Sequence, residues 1–379
     1  MRIGSFQISL QELAGSFGGF GIIFPLAIGY IMVCGLDPAG VFVMLGLTNL
    51  IFGLYYRLPL PLEPMKVLAV MAIAQAWSPS LVYASGFAMG LVWLLFSLTR
   101  AIDLLRRITP DSVVRGVQLA LGILLFIQAV KMLSGGWILG GVSVVLILLL
   151  RKSRHIPGAL ALLVLGLFII YFQGHFPAIY APGFFMPSVT SFKIKEAWDS
   201  LLLGGFAQIP LTVTNAVIAT AGMIRTYWPE RSDVSERKLA LNHGIMNLAA
   251  PFFGGMPMCH GAGSLAGKYY FGARTGAASI MEGLIEIALG LFLAASLVGV
   301  FRYFPPAILG GMLLFISIEL AKFARGSYRA GEITPLMVTT LLAVTVNMAA
   351  GFLAGLLTHY LWRLYVSRNK HARELPQEE

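Results

Sequence analysis

Side chains able to hold an anion collect at two points in an otherwise apolar chain. The first is Glu63, Pro64, Met65 and Lys66, closing a run in which proline alternates with leucine. The second is Cys259, His260, Gly261, Ala262 and Gly263, inside the glycine- and proline-broken stretch Gly254–Gly267. Lys66 brings a full positive charge. A helix beginning at either point brings unpaired N–H donors and roughly half an elementary positive charge. Gly261 and Gly263 open its backbone to close approach. Together these are the parts of an oxyanion receptor. They do not make a metal centre, because a lone His–Cys pair falls short of the ligands that zinc needs. Cys34 and Cys259 both lie in apolar segments and suggest no disulfide framework. With no Walker A spacing, catalytic triad pattern, or haem or iron–sulfur motif, an enzyme reading has no support and no cofactor is expected.

For these donors to face a ligand, the helices carrying them must start part-way through a membrane. Glycine costs roughly 1 kcal/mol and proline about 3 in a helix interior, so neither stretch continues as a helix. An extended entry followed by a half-helix is the simplest reading of both. Backbone freed at membrane depth must be satisfied by protein or by a watery cavity. Two interrupted segments in corresponding halves of a hydrophobic chain point to the binding site of a secondary transporter. A third stretch supplies side walls, since Gln208, Thr212 and Asn215 fall at i, i+4 and i+7 on one helix face. Their amides and hydroxyls can donate to an oxyanion without adding charge, or can hydrogen-bond neighbouring helices.

The remainder of the chain is scaffold. Its 379 residues are 58% hydrophobic and 12% charged, far more apolar than a soluble domain. It reads as an all-α polytopic membrane protein with no separate soluble domain. A net charge of +10 would suit nucleic acid, but the cations gather at the ends of apolar runs, so the expected partner is the lipid bilayer and not nucleic acid. Spans are expected at about Glu12–Val33, Ala39–Tyr56, Val67–Trp77 (the broken third), Leu81–Leu105, Ser112–Leu133, Trp137–Leu150 and Pro157–Phe172. The second set is about Ala197–Met223, Leu239–Phe253, the broken tenth, Thr275–Val298, Pro305–Phe323, Pro335–Ala350 and Gly351–Tyr365. Residues 1–172 then form a first repeat, 173–196 a linker, 197–366 a second repeat and 367–379 a polar, frayed tail.

Five cation clusters orient these spans: Arg100, Arg106, Arg107 and Arg115; Arg151, Lys152 and Arg154; Arg225, Arg231, Arg237 and Lys238; Lys322, Arg325 and Arg329; and Arg363, Arg368, Lys370 and Arg373. The positive-inside rule puts all of them, and both termini, in the cytoplasm of a cell whose cytoplasmic membrane holds the protein. The N-terminus lacks the order of a cleaved signal peptide, so the first helix is expected to be retained. About fourteen segments result, seven per half. Seven is odd, so the second half enters upside down, and the two half-helices meet tip to tip near the midplane.

Pro59–Lys66, Gln208–Asn215 and Met256–Lys268, with Phe271–Gly276 after it, resemble signatures of the molybdate/sulfate transporter family, a relative of the sulfate permease (SulP) superfamily. The similarity covers essentially the whole membrane region. It implies the seven-plus-seven inverted-repeat fold shared with the uracil permeases, in which a core of segments 1–4 and 8–11 moves against a gate of segments 5–7 and 12–14. It further implies an anion held between half-helices three and ten, beside Gly18, Gly19 and Phe20 of the first helix, in a protein that forms homodimers. No counterpart of the cytoplasmic STAS domain of typical sulfate permeases is expected. Two departures stand out: Glu63 occupies a position where the family usually shows glutamine, and the first helix has glycines where the family carries an acidic residue.

Glu63 has two readings. Protonated, it is nearly isosteric with glutamine and can donate a hydrogen bond to a dianion, which makes transport a proton symport; ionised, it forms a permanent ion pair with Lys66, three residues on. Glu282 and Glu286, one turn apart, are further proton-coupling candidates, and Glu319 is a third intramembrane acid. Arg274 can equally neutralise the first two. Lys268 and Arg274 are expected as solvated anchors, and His260 either donates to substrate or packs at the start of the half-helix. The combined expectation is a secondary active importer of molybdate or sulfate working by elevator-like movement. The alternatives are a same-fold carrier of a carboxylate, bicarbonate or nucleobase, and an uncoupled anion channel.

Overall fold

The computed structural model describes residues 2–99, 101–150, 158–175, 182–231, 233–323 and 330–374. Arg100, Arg151, Lys152, Arg154, Pro157, Arg325 and Arg329 lie outside the described residues, as do the side chains of Arg106, Glu319, Arg368, Lys370 and Arg373. The first segment is α1 (Leu10–Ser16), a 3-10 turn Phe17–Gly19 and α2 (Phe20–Cys34). It is followed by α3 (Pro38–Tyr56), the strand β3 (Glu63–Pro64) and the half-helix α4 (Lys66–Gln75). A small hairpin, β1 (Arg2–Ile3) with β2 (Phe6–Gln7), turns at Gly4 ahead of them. Then come α5 (Pro79–Leu98), α6 (Ala101–Ile108), α7 (Asp111–Leu133), α8 (Trp137–Leu150) and α9 (Gly158–Phe172).

The eighth segment is composite: α10 (Ile194–Ser200), a π turn Leu201–Gly205, α11 (Phe206–Leu211), a π turn Thr212–Ile218 and α12 (Ala219–Tyr227). The chain continues through α13 (Glu236–Ala249), a 3-10 turn Ala250–Phe253, β4 (Met258–Cys259) and the second half-helix α14 (Ala262–Tyr270). It finishes with α15 (Ala277–Tyr303), α16 (Pro306–Phe323), α17 (Ala330–Thr345) and α18 (Met348–Glu374). Helix starts follow local chemistry. Asp37 Oδ1 accepts the Ala39 N–H at 3.1 Å, and Ser9, Ser78 and Ser235 cap α1, α5 and α13 in the same way. Pro38 and Pro79 occupy first helical positions, where a missing N–H costs nothing. Among the described residues six helices are long and apolar enough to cross a membrane, including Leu10–Cys34, Ile194–Tyr227 and Ala277–Val300. Side chains such as Leu149, Leu353 and Leu357 stay exposed on the outside, as lipid-facing residues do.

The packing partners reveal the repeat. Counting membrane segments in chain order, segment 2 (α3) packs on segment 11 (α15) and segment 4 (α5) on segment 9 (α13). Shifting each member of the first pair by seven gives the second pair. Segment 5 (α7) on segment 12 (α16) maps onto itself, and the same shift exchanges segment 6 on 12 with segment 13 on 5. The fold is therefore the inverted repeat expected from the odd segment count.

Several boundaries differ from the sequence reading, each for a local reason. The first span is broken at Phe17–Gly19, where two adjacent glycines weaken the helix. The expected Leu81–Leu105 helix stops at Leu98, because Thr99 turns extended, and α6 follows as a separate amphipathic helix. The π turns interrupt segment 8 around Gly204, Gly205 and Pro210, residues that loosen helical bonding. Pro335 lies inside α17 instead of starting it, and the break comes at Val346–Asn347. The backbone of α18 stays helical to Glu374, through the first part of the stretch expected as a frayed tail. In the loop before α13, Arg231 bonds Asp233 twice and holds its carboxyl below the usual carboxylate range, while a third bond to the Tyr56 carbonyl ties this loop to the end of α3.

Glycine sets the contact between α3 and α15. A Cβ on Gly46, Gly53, Gly276 or Gly283 would run into the backbone of the facing helix, so α3 and α15 touch main chain to main chain. Overpacking such a contact costs about 1–3 kcal/mol or more. Gly283→Val is expected to lower the thermal midpoint of the detergent-solubilised protein by several degrees. Gly141→Ala in α8, whose Cβ meets nothing within 4 Å, is expected to leave it unchanged. Equal midpoints for the two variants would contradict the packing.

Candidate functional site

Each half-helix is reached through an extended stretch, and the two stretches pair. β3 and β4 run antiparallel with Glu63 opposite Cys259 and Pro64 opposite Met258. The Met65 N–H extends the pairing to the Pro257 carbonyl at 2.9 Å. Immediately after this ladder the chain turns helical on both sides, at Lys66 and at Ala262. The two N-termini are therefore held together by main-chain bonds. Their capping differs. Gln208 Oε1 accepts the Val67 N–H at 2.7 Å and so closes one donor of α4, whereas α14 starts from Gly261 with no side-chain cap.

A cavity of about 440 Å3 opens at these tips. Its walls are Gly21, Ile22 and Leu26 of α2, Lys66 and Val70 of α4, Gly263 and Gly267 of α14, and Phe315, Ile316 and Leu320 of α16. Lys66 is the charged side chain in this lining among the described residues. A Cβ at Gly21 or Gly263 would meet nothing within 4 Å, so a ligand can reach the backbone there. Gly18 and Gly261 are glycines for another reason. A Cβ on Gly18 would strike the backbone of Gly267 and Lys268, and one on Gly261 would strike the Glu63 carboxylate. Gly19 faces Ile23 and Ser264, and Phe20 is buried against Phe17 and Phe24. The first helix thus meets the cavity one turn later than Gly18 and Gly19 suggest, through Gly21 and Ile22.

Glu63 is fully buried and bridges both half-helices. One carboxylate oxygen pairs with Lys66, and the other accepts from Ser264 Oγ at 2.5 Å. Pro64 and Met65 are buried spacers between strand and helix. Cys259 Sγ donates weakly to the Pro64 carbonyl at 3.9 Å. Thr212 accepts from Gln208 Nε2 at 2.6 Å, which orients the Gln208 oxygen toward Val67. Asn215 does not join them. A π turn takes more residues per turn than an α-helix, so the i, i+7 phase that would stack Asn215 over Gln208 is lost.

His260 points into the scaffold. Its Nδ1–H donates to the Pro61 carbonyl at 2.9 Å, which leaves Nε2 to accept from Asn242 Nδ2 at 3.2 Å, and its backbone N–H donates to His243 Nε2 at 2.9 Å. Both ring nitrogens are therefore occupied by protein. Lys268 departs furthest from expectation. Expected as a solvated anchor, it is completely buried, paired with Glu282, and within 3.2 Å of Ser279 Oγ and 3.3 Å of the Leu60 carbonyl. It, and not Arg274, neutralises Glu282; Arg274 lies over the Tyr269 ring at 3.7 Å. Glu286 takes a bond from Asn49 Nδ2 at 2.8 Å. Ser264, Gly21 and the α16 side chains were not singled out from the sequence. Ser264, three residues into the uncapped helix start, carries a local signal; Phe315 and its neighbours lie in an apolar run with none.

A family model described as "Molybdate transporter of MFS superfamily" matches residues 11–125 and 200–320. Molybdate transporter 1 of Arabidopsis thaliana is 30% identical over an alignment covering 98% of this chain and 92% of that protein. Among solved structures, SLC26A9 superposes with a TM-score of 0.70 at 14% identity, covering 94% of this chain and 65% of that one. This chain thus spans somewhat less than two thirds of SLC26A9. The transmembrane domain of a cyanobacterial bicarbonate transporter, BicA, gives a TM-score of 0.67 at 18% identity, covering 90% and 97% respectively. These two likenesses concern the fold.

The two glycines of the α14 tip are expected to respond differently to a methyl group. Gly263→Ala should keep the wild-type thermal midpoint, and Gly261→Ala, pressed against Glu63, should lower it. The reverse order would show that the tip is packed otherwise.

Proposed function

We infer the function of this chain from its family: it belongs to the molybdate transporters, and it is a membrane transporter of an inorganic oxyanion, not an enzyme. The substrate we assign is molybdate or sulfate, two tetrahedral dianions with similar oxygen acceptors. The observation that carries the reading is the pairing of β3 with β4, which aims two helix N-termini and Lys66 at one cavity. Backbone donors and dipoles bind an oxyanion without relying on side-chain identity.

A charge count supports proton coupling through Glu63. Each helix tip contributes roughly half a positive charge. With Glu63 ionised, Lys66 and Glu63 cancel, and the tips leave about one positive charge for the ligand. With Glu63 protonated, Lys66 is released and the total rises to about two, the charge of the dianion. Glu63 accordingly acts as an internal counter-ion in the empty site, and a proton takes its negative charge away when substrate arrives. Glu282 carries its own partner in Lys268 and is the weaker candidate for this step.

The cavity has α2, α4 and α14 on one side and α16 on the other. This supports a core of segments 1–4 and 8–11 that slides, elevator-like, against a gate of segments 5–7 and 12–14. The loop cations support an orientation with both termini in the cytoplasm and residence in the cytoplasmic membrane. The apolar faces of α8, with Trp137, Ile138 and Leu149 exposed, suit lipid or a second copy in a homodimer.

Reconstitution into liposomes tests this reading. An inside-alkaline pH gradient is expected to drive molybdate or sulfate inward, and dissipating it should abolish accumulation; large uncoupled currents would instead make the protein a channel. Because the protonated form binds the dianion, affinity should fall as external pH rises, by up to about tenfold per pH unit for one linked proton. Glu63→Gln, fixed in the neutral form, should keep its affinity and lose this pH dependence. An unchanged pH dependence would remove Glu63 from the mechanism. Lys66→Met should weaken anion binding about tenfold or more, as read by ligand-induced thermal stabilisation.

A further inference from the structure

Between α3 and α15, polar groups are buried that do not satisfy one another. Lys268 sends its three donors to Glu282, Ser279 Oγ and the Leu60 carbonyl, so none is left over. One turn further along α15, Glu286 has a single hydrogen-bond partner among the described residues, the Asn49 amide at 2.8 Å. Among the described residues, Glu286 Oε1, Glu282 Oε1 and Asn49 Oδ1 are all buried without a hydrogen-bond partner. When the two acids are ionised, all three atoms are acceptors, and no rearrangement among themselves can pair them. The groups that face Glu286 are Glu282 from its own helix, Lys268 from α14, and the uncharged Asn49 from α3. Glu12 of α1 is engaged elsewhere, accepting from the N–H groups of Arg274 and Thr275. Among the described residues, two carboxylates and one ammonium therefore share this interior, an excess of one negative charge.

Nothing lets these side chains escape to water. Asn49, Glu282, Glu286 and Lys268 are each at most 1% exposed. Beside them, Gly46 and Gly283 bring the two helix backbones into direct contact. A carboxylate buried without a counter-charge is far too costly to persist, and a site of this kind acquires either a proton or a metal cation.

We propose that Glu286, with Asn49 and the free oxygen of Glu282, holds one monovalent cation, a proton or a sodium ion. Either occupant cancels the excess charge. A proton on Glu286 turns one acceptor into a donor and pairs it with a neighbouring oxygen. A sodium ion takes unpartnered oxygens as ligands directly. This site lies apart from the anion cavity, whose lining includes none of these residues. Its use as a second coupling site rests on the transporter reading; its occupancy does not.

The test separates the two. Thermal midpoints of the purified protein are measured in sodium chloride and in N-methylglucamine chloride at equal ionic strength, and infrared spectra are recorded for the carbonyl band of a protonated carboxyl group. Wild type and Glu286→Gln are compared, with Asn49→Leu as a second variant should the first fail to fold. If sodium stabilises the wild type by several degrees and the variant hardly at all, the occupant is sodium. If sodium has no effect and the protonated-acid band is present in wild type but lost in Glu286→Gln, or displaced in Asn49→Leu, the occupant is a proton. A wild type with neither response overturns the proposal, whatever the anion assays give.

Discussion

A polypeptide that stops being helical half-way through a bilayer leaves main-chain groups with no water to bind. In this protein that constraint is met by joining the two interruptions to each other. Prolines at 59, 61, 64 and 257 have no N–H to satisfy, so a ladder of two residue pairs and the Met65–Pro257 bond suffices for much of the rest. Side chains complete the remainder. Asn247 bonds the Met258 backbone in both directions at 2.7 and 2.8 Å, His260 covers the Pro61 carbonyl, and Lys268 and Ser279 cover that of Leu60. The same pairing that satisfies the backbone also fixes the two helix tips side by side.

This divides the polar residues of the membrane interior into two groups. His260, Asn242, Asn247, Lys268 and Gln208 serve main chain or one another, and they make the interruption affordable in a low-dielectric interior. The cavity itself is mostly apolar, with Lys66 and the uncapped start of α14 as its positive features. Selection by such a site depends on charge and on oxygen acceptors meeting backbone donors, more than on side-chain shape. That suits a small inorganic dianion. Glu63 connects the two groups, since it belongs to the ladder through its backbone and to the site through its carboxylate.

Much of this was legible in the sequence, because proline, glycine and charge announce themselves locally. Breaks at Pro59–Lys66 and Gly254–Gly267 in an apolar chain predicted both half-helices, and the odd count of seven segments per half predicted the inverted repeat. The residues that went astray depend on three-dimensional context. Lys268 looks like a helix-end anchor by spacing, and only the approach of α15 turns it into a buried partner of Glu282. Gly18 and Gly21 are the same residue type three positions apart, yet one is packed against α14 and the other opens on the cavity. Asn215 was assigned by α-helical phase, which the π turn alters without any strong composition signal. The α16 wall comes from the other side of the bundle, and periodicity cannot bring it to the site.

The central claim is that an oxyanion binds where the two half-helix tips converge. Molybdenum scatters anomalously, so a crystal grown with molybdate, measured at the metal's absorption edge, reports its position without reference to any side chain. The account predicts one strong anomalous peak in the cavity beside Lys66 and the amides of Ala262 and Gly263. A peak at any other place in the bundle, with that cavity empty, would contradict it.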